Sequence, residues 1–352
     1  SLWTWSPLSA GDGGGLLGNE RALETVRGMA ADGRLAHALL VTGQDGVGKT
    51  TFALALAADL VCLAPLDDGR ACGECRSCEL SRAGTHPDVL RVAPPKEETT
   101  IGQMRELRYI ASLAPNIGPR RIFIVERAET LNEQAANAIL KVLEDAPVRL
   151  LLLLLAPSAR SVLATIRSRS IEIPLKGVPR ERIREFLAAR GVDEAGAGRL
   201  ADYAAGAPGR AIRLSGNQDL LQILAEVRDW MDALLAADMR AALRLASELS
   251  SLAGRARKHL PGEDGASERQ ALAWVLDAVM AEWQSRLARP LPAGWTASAL
   301  ARAVDAVNRA RWLIMAYAQA DLQLEQMVIS VIARRNSPSA SNATRQPRSA
   351  SN

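Results

Sequence analysis

The sequence predicts an α/β domain built on a parallel sheet, followed by a wholly helical second half. Three observations carry this prediction. Five short apolar runs alternate with helical patterns up to about residue 175, a glycine-rich phosphate-binding pattern follows the first run directly, and no strand-like run appears after residue 176. A chain of 352 residues has room for two or three domains, at roughly 100–200 residues each.

The five runs are AHALLVT (36–42), PDVLRV (87–92), RRIFIVE (120–126), LLLLLLA (150–156) and SIEIPL (170–175). Continuous apolar strands separated by helices indicate a parallel sheet covered on both faces, hence three layers. Between the third and fourth runs, Thr130-Leu-Asn-Glu133 has the spacing of a capping box. Ala135, Ala136, Ile139, Leu140 and Leu143 then recur at helical spacing, so a buried helix is expected there. After 176, PRERIREFLAARG and AGAGRLADYAAGAPGRAIRL read as a small helical segment broken at Gly206 and Pro208, and from about 217 to 333 helix follows helix without a repeat period.

Composition limits the function classes. Apolar residues make up 48% of the chain, yet there are only three Phe and three Tyr, so Leu, Ala and Val must fill a helix-rich core. Forty-three basic against thirty-nine acidic residues give a net charge of +4, which permits a nucleic-acid partner without demanding one. The wholly apolar run at 150–157 is far shorter than the roughly 18–20 residues that cross a bilayer, and no charged-then-apolar signal segment opens the chain. A cytoplasmic protein with no membrane partner is expected. Residues 336–352, rich in Ser, Asn, Ala and Pro, are expected to be a disordered tail.

Gly43-x4-Gly48-Lys49-Thr50 matches the P-loop pattern, and it lies between an apolar strand and the helical run TTFALALAADLV. Gly43, Gly46 and Gly48 let backbone N–H groups turn inward on phosphates, and the positive helix end adds to the attraction. Lys49 is expected to neutralise the β and γ phosphates of ATP and the Thr50 hydroxyl to hold Mg²⁺, with Val47 and Thr51 completing the cradle. The bland alternative is a glycine-rich turn with no ligand.

All four cysteines lie within 17 residues: Cys62, then Cys72, Cys75 and Cys78 in ACGECRSC. Two consecutive C-x2-C spacings in a cytoplasmic chain suit tetrahedral Zn²⁺ better than disulfides. Four protein ligands leave no open position, so the metal's role is structural, stapling an insertion of about 62–85 that has no core of its own. A redox pair, plain buried thiols, or His86 as a substitute ligand stand as the other readings.

Taken together, GRLAHALLVTGQDGVGKTTFALALAADLVC, CGECRSCELSRAGTHPDVLRV, LNEQAANAILKVLEDAP and LATIRSRS resemble the bacterial clamp-loader ATPases of the AAA+ class, the group of the delta-prime and gamma/tau subunits of DNA polymerase III. The likeness is dense over 17–175 and extends by architecture alone to 335. It implies an AAA+ domain over 1–175, a helical lid over 176–215 and a helical collar over 216–335 through which five subunits, gamma/tau and delta among them, form a ring. That ring places the sliding clamp on primer-template DNA. Arg169, in Ser168-Arg169-Ser170, falls on the family's Ser-Arg-Cys motif, whose arginine reaches a neighbour's nucleotide. Arg210 lies where the lid places a second arginine that senses nucleotide in cis. Ser158 loosely matches a polar residue that senses the γ-phosphate.

One departure bears on activity. Hydrolysing relatives end the third strand with Asp-Glu, where this chain has Glu126-Arg127. Glu126 retains a carboxylate for Mg²⁺, but a guanidinium has no acceptor lone pair and cannot serve as a base. Glu129 is expected to face solvent near the start of the next helix; the other reading is that a bulge at the strand end lets Glu126 or Glu129 take over the missing base. The resemblance therefore implies the delta-prime role of binding ATP and donating a finger, with a hydrolysing gamma/tau-like motor as the alternative and an unrelated P-loop regulator as a third reading.

Overall fold

A computed structural model describes residues 16–92, 107–144, 149–260, 266–287 and 295–335. The expected tail at 336–352 lies outside them. The chain divides into two compact units: one runs to Ile183 and takes in Gly206–Arg210, and the other holds Arg184–Ala205 and everything from Ala211.

The first unit is an α/β sandwich. Its strands are β1 (Ala38–Thr42), β2 (Val89–Val92), β3 (Arg121–Val125), β4 (Leu150–Ala156) and β5 (Ile171–Pro174). They pair in the order β2-β3-β4-β1-β5, every pair parallel. All five apolar runs are strands; β4 fills its run and the other four are slightly shorter than theirs.

Side chains alternate across the sheet and so build two cores. Leu39, Val41, Ile122, Ile124, Leu151 and Leu153 meet α1 (Glu20–Ala31) and α2 (Lys49–Val61) through Val26, Phe52, Leu56 and Val61. Leu40, Phe123, Val125, Leu152 and Leu154 meet α4 (Glu133–Glu144) through Ala135, Ala136, Ile139 and Val142. Short α3 (Arg76–Ala83) precedes β2, and one-turn α5 (Ala164–Arg167) precedes β5. β1, β3 and β4 are buried along their whole length, which explains their unbroken apolar runs, whereas β2 is partly and edge strand β5 largely exposed.

The start of α4 differs from the capping-box expectation. A 3₁₀ turn covers Ala128–Thr130, and the Thr130 hydroxyl donates to Arg127 O at 2.8 Å. Asn132 serves the helix instead, its Oδ1 accepting from Ala135 N at 2.9 Å. The extra turn consumes Thr130, so the chain needs a second capping side chain two residues later.

Downstream come α6 (Arg180–Ala188), α7 (Glu194–Ala204), α8 (Pro208–Ser215), α9 (Gln218–Ala236), α10 (Ala242–Arg257), α11 (Glu268–Leu287), α12 (Ala297–Met315) and α13 (Ala320–Arg335). In the second unit α10, α11, α12 and α13 pack each on two of the others, so the bundle closes on itself, with α9 laid against α10 and α11. Its core is Leu and Ala with Trp230 and Trp283, as the scarcity of Phe and Tyr requires. Among the described residues no helix is long and apolar enough to cross a membrane.

Candidate nucleotide site and metal centre

The loop between β1 and α2 lies at the carboxyl edge of the sheet, where parallel α/β folds bind ligands. Gly43, Gly46 and Gly48 have φ of 152°, 79° and 105°, conformations that admit glycine at little cost. Space is as restrictive as conformation. A side chain at Gly43 would meet Val47 Cγ1 at 2.9 Å and Leu175 O at 3.1 Å. The Val47 side chain is buried in the core and its N–H bonds Gln44 O at 3.2 Å, so it anchors the loop from beneath.

Gly48 precedes α2 with no side chain capping the helix and no acid in the first turn; the first helical bond runs from Phe52 N to Gly48 O at 2.8 Å. The N–H groups of Lys49, Thr50 and Thr51 thus open a bare helix end, suited to phosphate oxygens. Lys49 Nζ folds back over the loop to donate to Gly43 O at 2.6 Å and Gln44 O at 3.0 Å. Partial burial pushes its pKa down, while the charges of Asp45 and Glu129 oppose that shift. An anion brought to the loop would find donors, a cation and no capping competitor.

Arg210 is brought to the same loop. Gly209 N donates to Gly46 O at 2.8 Å, and a Cβ on Gly46 would lie 3.0 Å from Arg210 N. Arg169 is elsewhere: it follows α5, is half exposed, and donates to Glu144 Oε1 at 3.2 Å and Thr165 O at 3.4 Å. Ser158, just beyond β4, is exposed.

Glu126 and Glu129 have opposite surroundings. Glu126 Oε1 accepts from Arg91 Nε at 3.1 Å, an ion pair with its β2 neighbour. Arg127 then takes a left-handed conformation, φ 53°, which turns the chain into the 3₁₀ segment. Contrary to the expectation that it faces solvent, Glu129 is half-buried; its Oε2 is shielded without a hydrogen-bond partner, and its charge acts on Lys49.

The four cysteine sulfurs converge. Sγ–Sγ separations are 3.6 Å for Cys62–Cys72 and Cys62–Cys78, 3.9 Å for Cys62–Cys75 and Cys72–Cys78, and 3.5 Å for Cys75–Cys78. These are far beyond a covalent disulfide of about 2.05 Å. They match the tetrahedron edge of about 3.8 Å that Zn–S bonds near 2.3 Å require. Cys72 N and Cys75 N donate to Cys62 Sγ and Cys72 Sγ at 3.3 and 3.4 Å, the backbone support expected of thiolates. Burial pushes the Cys78 thiol up to about 12. Cys75 shares the upward push of burial, but N–H donors from Leu63 and Cys78 hold it down to about 6. The donor set fits a soft divalent cation.

His86 is not part of that cluster. Its Nε2 pairs with Ser77 Oγ at 2.8 Å, Ser77 Oγ donates to Val61 O at 2.6 Å, and Asp88 N donates to His86 Nδ1 at 3.0 Å. These partners set the Nε2–H tautomer and occupy both ring nitrogens. Beneath lies a buried ion pair that motif reading missed. Asp88 accepts from the N–H groups of Asn116, Ile117 and Gly118 at 2.6, 2.7 and 2.9 Å, and from Arg121 at 3.1 Å. Burial alone would raise the Asp88 pKa, yet these donors hold it below the usual range. A charged residue at the start of each of two apolar strand runs, β2 and β3, was the only available signal.

A parallel, doubly covered sheet with a strand–loop–helix cradle at its carboxyl edge defines a P-loop α/β domain, here with a four-cysteine insertion after α2. Residues 18–179 match the family described as DNA polymerase III, delta subunit. The chain is 37% identical to DNA polymerase III subunit delta′ of Pseudomonas aeruginosa, over 44% of this chain and 53% of that one. The same identity holds for subunit delta′ of Escherichia coli, over 39% and 41%. DNA polymerase III subunit tau of Escherichia coli matches at 30%, over 52% of this chain and 28% of its own. The chain thus spans about half or less of the length of these relatives. A DNA polymerase III gamma subunit-related protein from Thermotoga maritima aligns over 89% of this chain at 17% identity and a TM-score of 0.48.

Proposed function

We propose that this protein is a delta-prime-type subunit of the DNA polymerase III clamp loader, one that binds ATP but does not drive the cycle through its own site. The observation that carries this reading is the contrast at the end of β3. The phosphate cradle is fully formed, whereas Glu126 is engaged by Arg91 and Arg127 stands where hydrolysing relatives keep a water-activating carboxylate. The delta′ names of the relatives at 37% identity support the same assignment.

In this reading the loop N–H groups and Lys49 hold the phosphates, Thr50 faces Mg²⁺, and Arg210 senses the nucleotide from the segment packed on Gly46. Arg169 is the finger presented to a neighbouring subunit, since a planar guanidinium can neutralise charge developing on another chain's γ-phosphate. Its exposed position, restrained by Glu144 alone among charged groups described beside it, supports that use. Cys62, Cys72, Cys75 and Cys78 hold structural Zn²⁺. The chain is divided as an AAA+ domain to 175, a lid to 215 and a collar over 216–335, and the collar joins gamma/tau and delta in a five-membered ring. The ring loads the sliding clamp on primer-template DNA through salt-sensitive phosphate contacts that do not read sequence.

The test is ATP turnover by the ring reconstituted with gamma/tau and delta subunits. Arg169→Ala is expected to lower turnover by about 10³-fold at the site it completes, while Lys49→Ala leaves most turnover intact. Equal loss from both substitutions favours the gamma/tau-like motor reading, and failure to enter any ring removes the assignment.

A further inference from the structure

We infer that Glu129, not Glu126, is the carboxylate of the nucleotide site: it receives the divalent cation that accompanies the phosphates. This rests on the nucleotide-binding reading of the P-loop and assigns a residue outside the motif to it.

Topology sets the frame. In the order β3-β4-β1, the segment after β3 lies two strands from the P-loop, about 10 Å across the carboxyl edge at the usual strand spacing. A side chain projecting from just beyond β3 toward β1 can therefore reach the phosphate pocket. Two carboxylates compete for that role, and their environments separate them. Glu126 points to β2, the outer strand, where the Arg91 guanidinium already neutralises it.

Glu129 has the opposite character. The left-handed turn at Arg127 and the 3₁₀ segment Ala128–Thr130 carry it back against β4, where Ala128 joins the core. Its Oε2 is removed from solvent yet accepts no hydrogen bond. A shielded carboxylate oxygen without a donor is costly, more so when charged. The nearby cation, Lys49, donates to two loop carbonyls, Gly43 O and Gln44 O. When phosphates draw that ammonium away, Glu129 and the phosphates become two anionic walls facing one gap. A hydrated divalent cation satisfies both, with oxygen ligands of the kind Mg²⁺ prefers.

The experiment measures binding of a fluorescent ATP analogue to the full chain with and without Mg²⁺. Mg²⁺ is expected to tighten binding to the unsubstituted protein by about tenfold, an effect lost in Glu129→Gln and retained in Glu126→Gln. Nucleotide affinity without Mg²⁺ is expected to be unchanged or improved in Glu129→Gln, because an anion has been removed from the phosphate pocket. Glu129→Asp, with the charge on a shorter stem, retains part of the tightening, and thermal unfolding verifies that each variant is folded. Full tightening in Glu129→Gln, its loss in Glu126→Gln alone, or no Mg²⁺ effect on an unsubstituted protein that binds the analogue overturns the inference and leaves the P-loop reading standing. No binding under either condition overturns both.

Discussion

The phosphate loop and the cysteine cluster are both built to take a charged ligand, but they wait for it differently. The loop satisfies itself: Lys49 is bonded to two carbonyls, Val47 N to Gln44 O, and the glycines sit in conformations they tolerate. The cluster does not. Four thiols lie within 4.8 Å of one another, one held down to about 6 and another pushed up to about 12, so protons are shared unevenly among sulfurs too close to ionise together. A site made of backbone dipoles stands without its ligand; a site made of like-charged side chains depends on it.

Metal removal gives the largest expected effect. Purified protein should carry about one equivalent of zinc, and a strong chelator should unfold the insertion, since structural zinc contributes roughly 10–16 kcal/mol in small zinc modules. Limited proteolysis would then cut between residues 62 and 85, while nucleotide binding persists. Resistance to cleavage after complete metal loss would show that the insertion, like the loop, supports itself.

Asp88→Asn should come next, because Asp88 underlies the sheet beside the cysteine insertion. The amide cannot accept all three N–H groups of 116–118 and leaves Arg121 buried without its countercharge. Breaking such a pair costs about 3–5 kcal/mol. A fall in thermal stability with zinc still bound would separate the foundation from the metal site, and loss of both would tie them together.

Legibility in the sequence followed the same division between backbone and side chain. The strands were readable because the centre of a parallel sheet covered on both faces needs uninterrupted apolar runs, as in the fully buried β1, β3 and β4, and LLLLLLA has no other comfortable place in an α/β chain. The P-loop was readable because backbone geometry demands glycine at fixed spacing. The convergence of the cysteines was also readable, since C-x2-C fixes the approach of its sulfurs. What escaped were pairings between distant side chains. Arg91–Glu126 joins adjacent strands 35 residues apart in sequence, and Asp88–Arg121 joins residues 33 apart. Nothing in local pattern announces them. Glu129 escaped for a related reason: its direction depends on the positive φ of Arg127, which no residue type at that position foretells.

Gly46→Ala tests the self-sufficiency of the loop more gently. At φ 79° an alanine costs about 1–2 kcal/mol, and its Cβ would stand 3.0 Å from Arg210 N, part of the backbone packed on the loop. The segment at 206–210 must shift or the loop must open. Nucleotide affinity should drop about tenfold or more, with zinc content unchanged. Unchanged affinity would mean that the N–H groups of α2 bind phosphate without the precise loop.

The smallest expected effect is a pH dependence at His86, which links the cysteine insertion to β2. The imidazole is buried and neutral, and burial lowers its pKa although the Asp88 charge opposes this. Its Nδ1 already accepts from Asp88 N, so a second proton there would face an N–H donor. The unfolded chain therefore takes up this proton first as pH falls. Stability from His86 is complete above about pH 6.5, its unperturbed value. It is lost as pH falls through the window down to the lowered folded value, at no more than about 1.4 kcal/mol per pH unit for one proton. Asp88, whose pKa is also held down, weakens the fold in the same direction but only under more acid conditions. Unfolding curves of metal-loaded protein and of His86→Asn should accordingly differ in slope between pH 5 and 6.5 and run parallel above it. Parallel curves throughout, with zinc retained, would mean that Ser77 and Asp88 hold the protonated ring as readily as the neutral one.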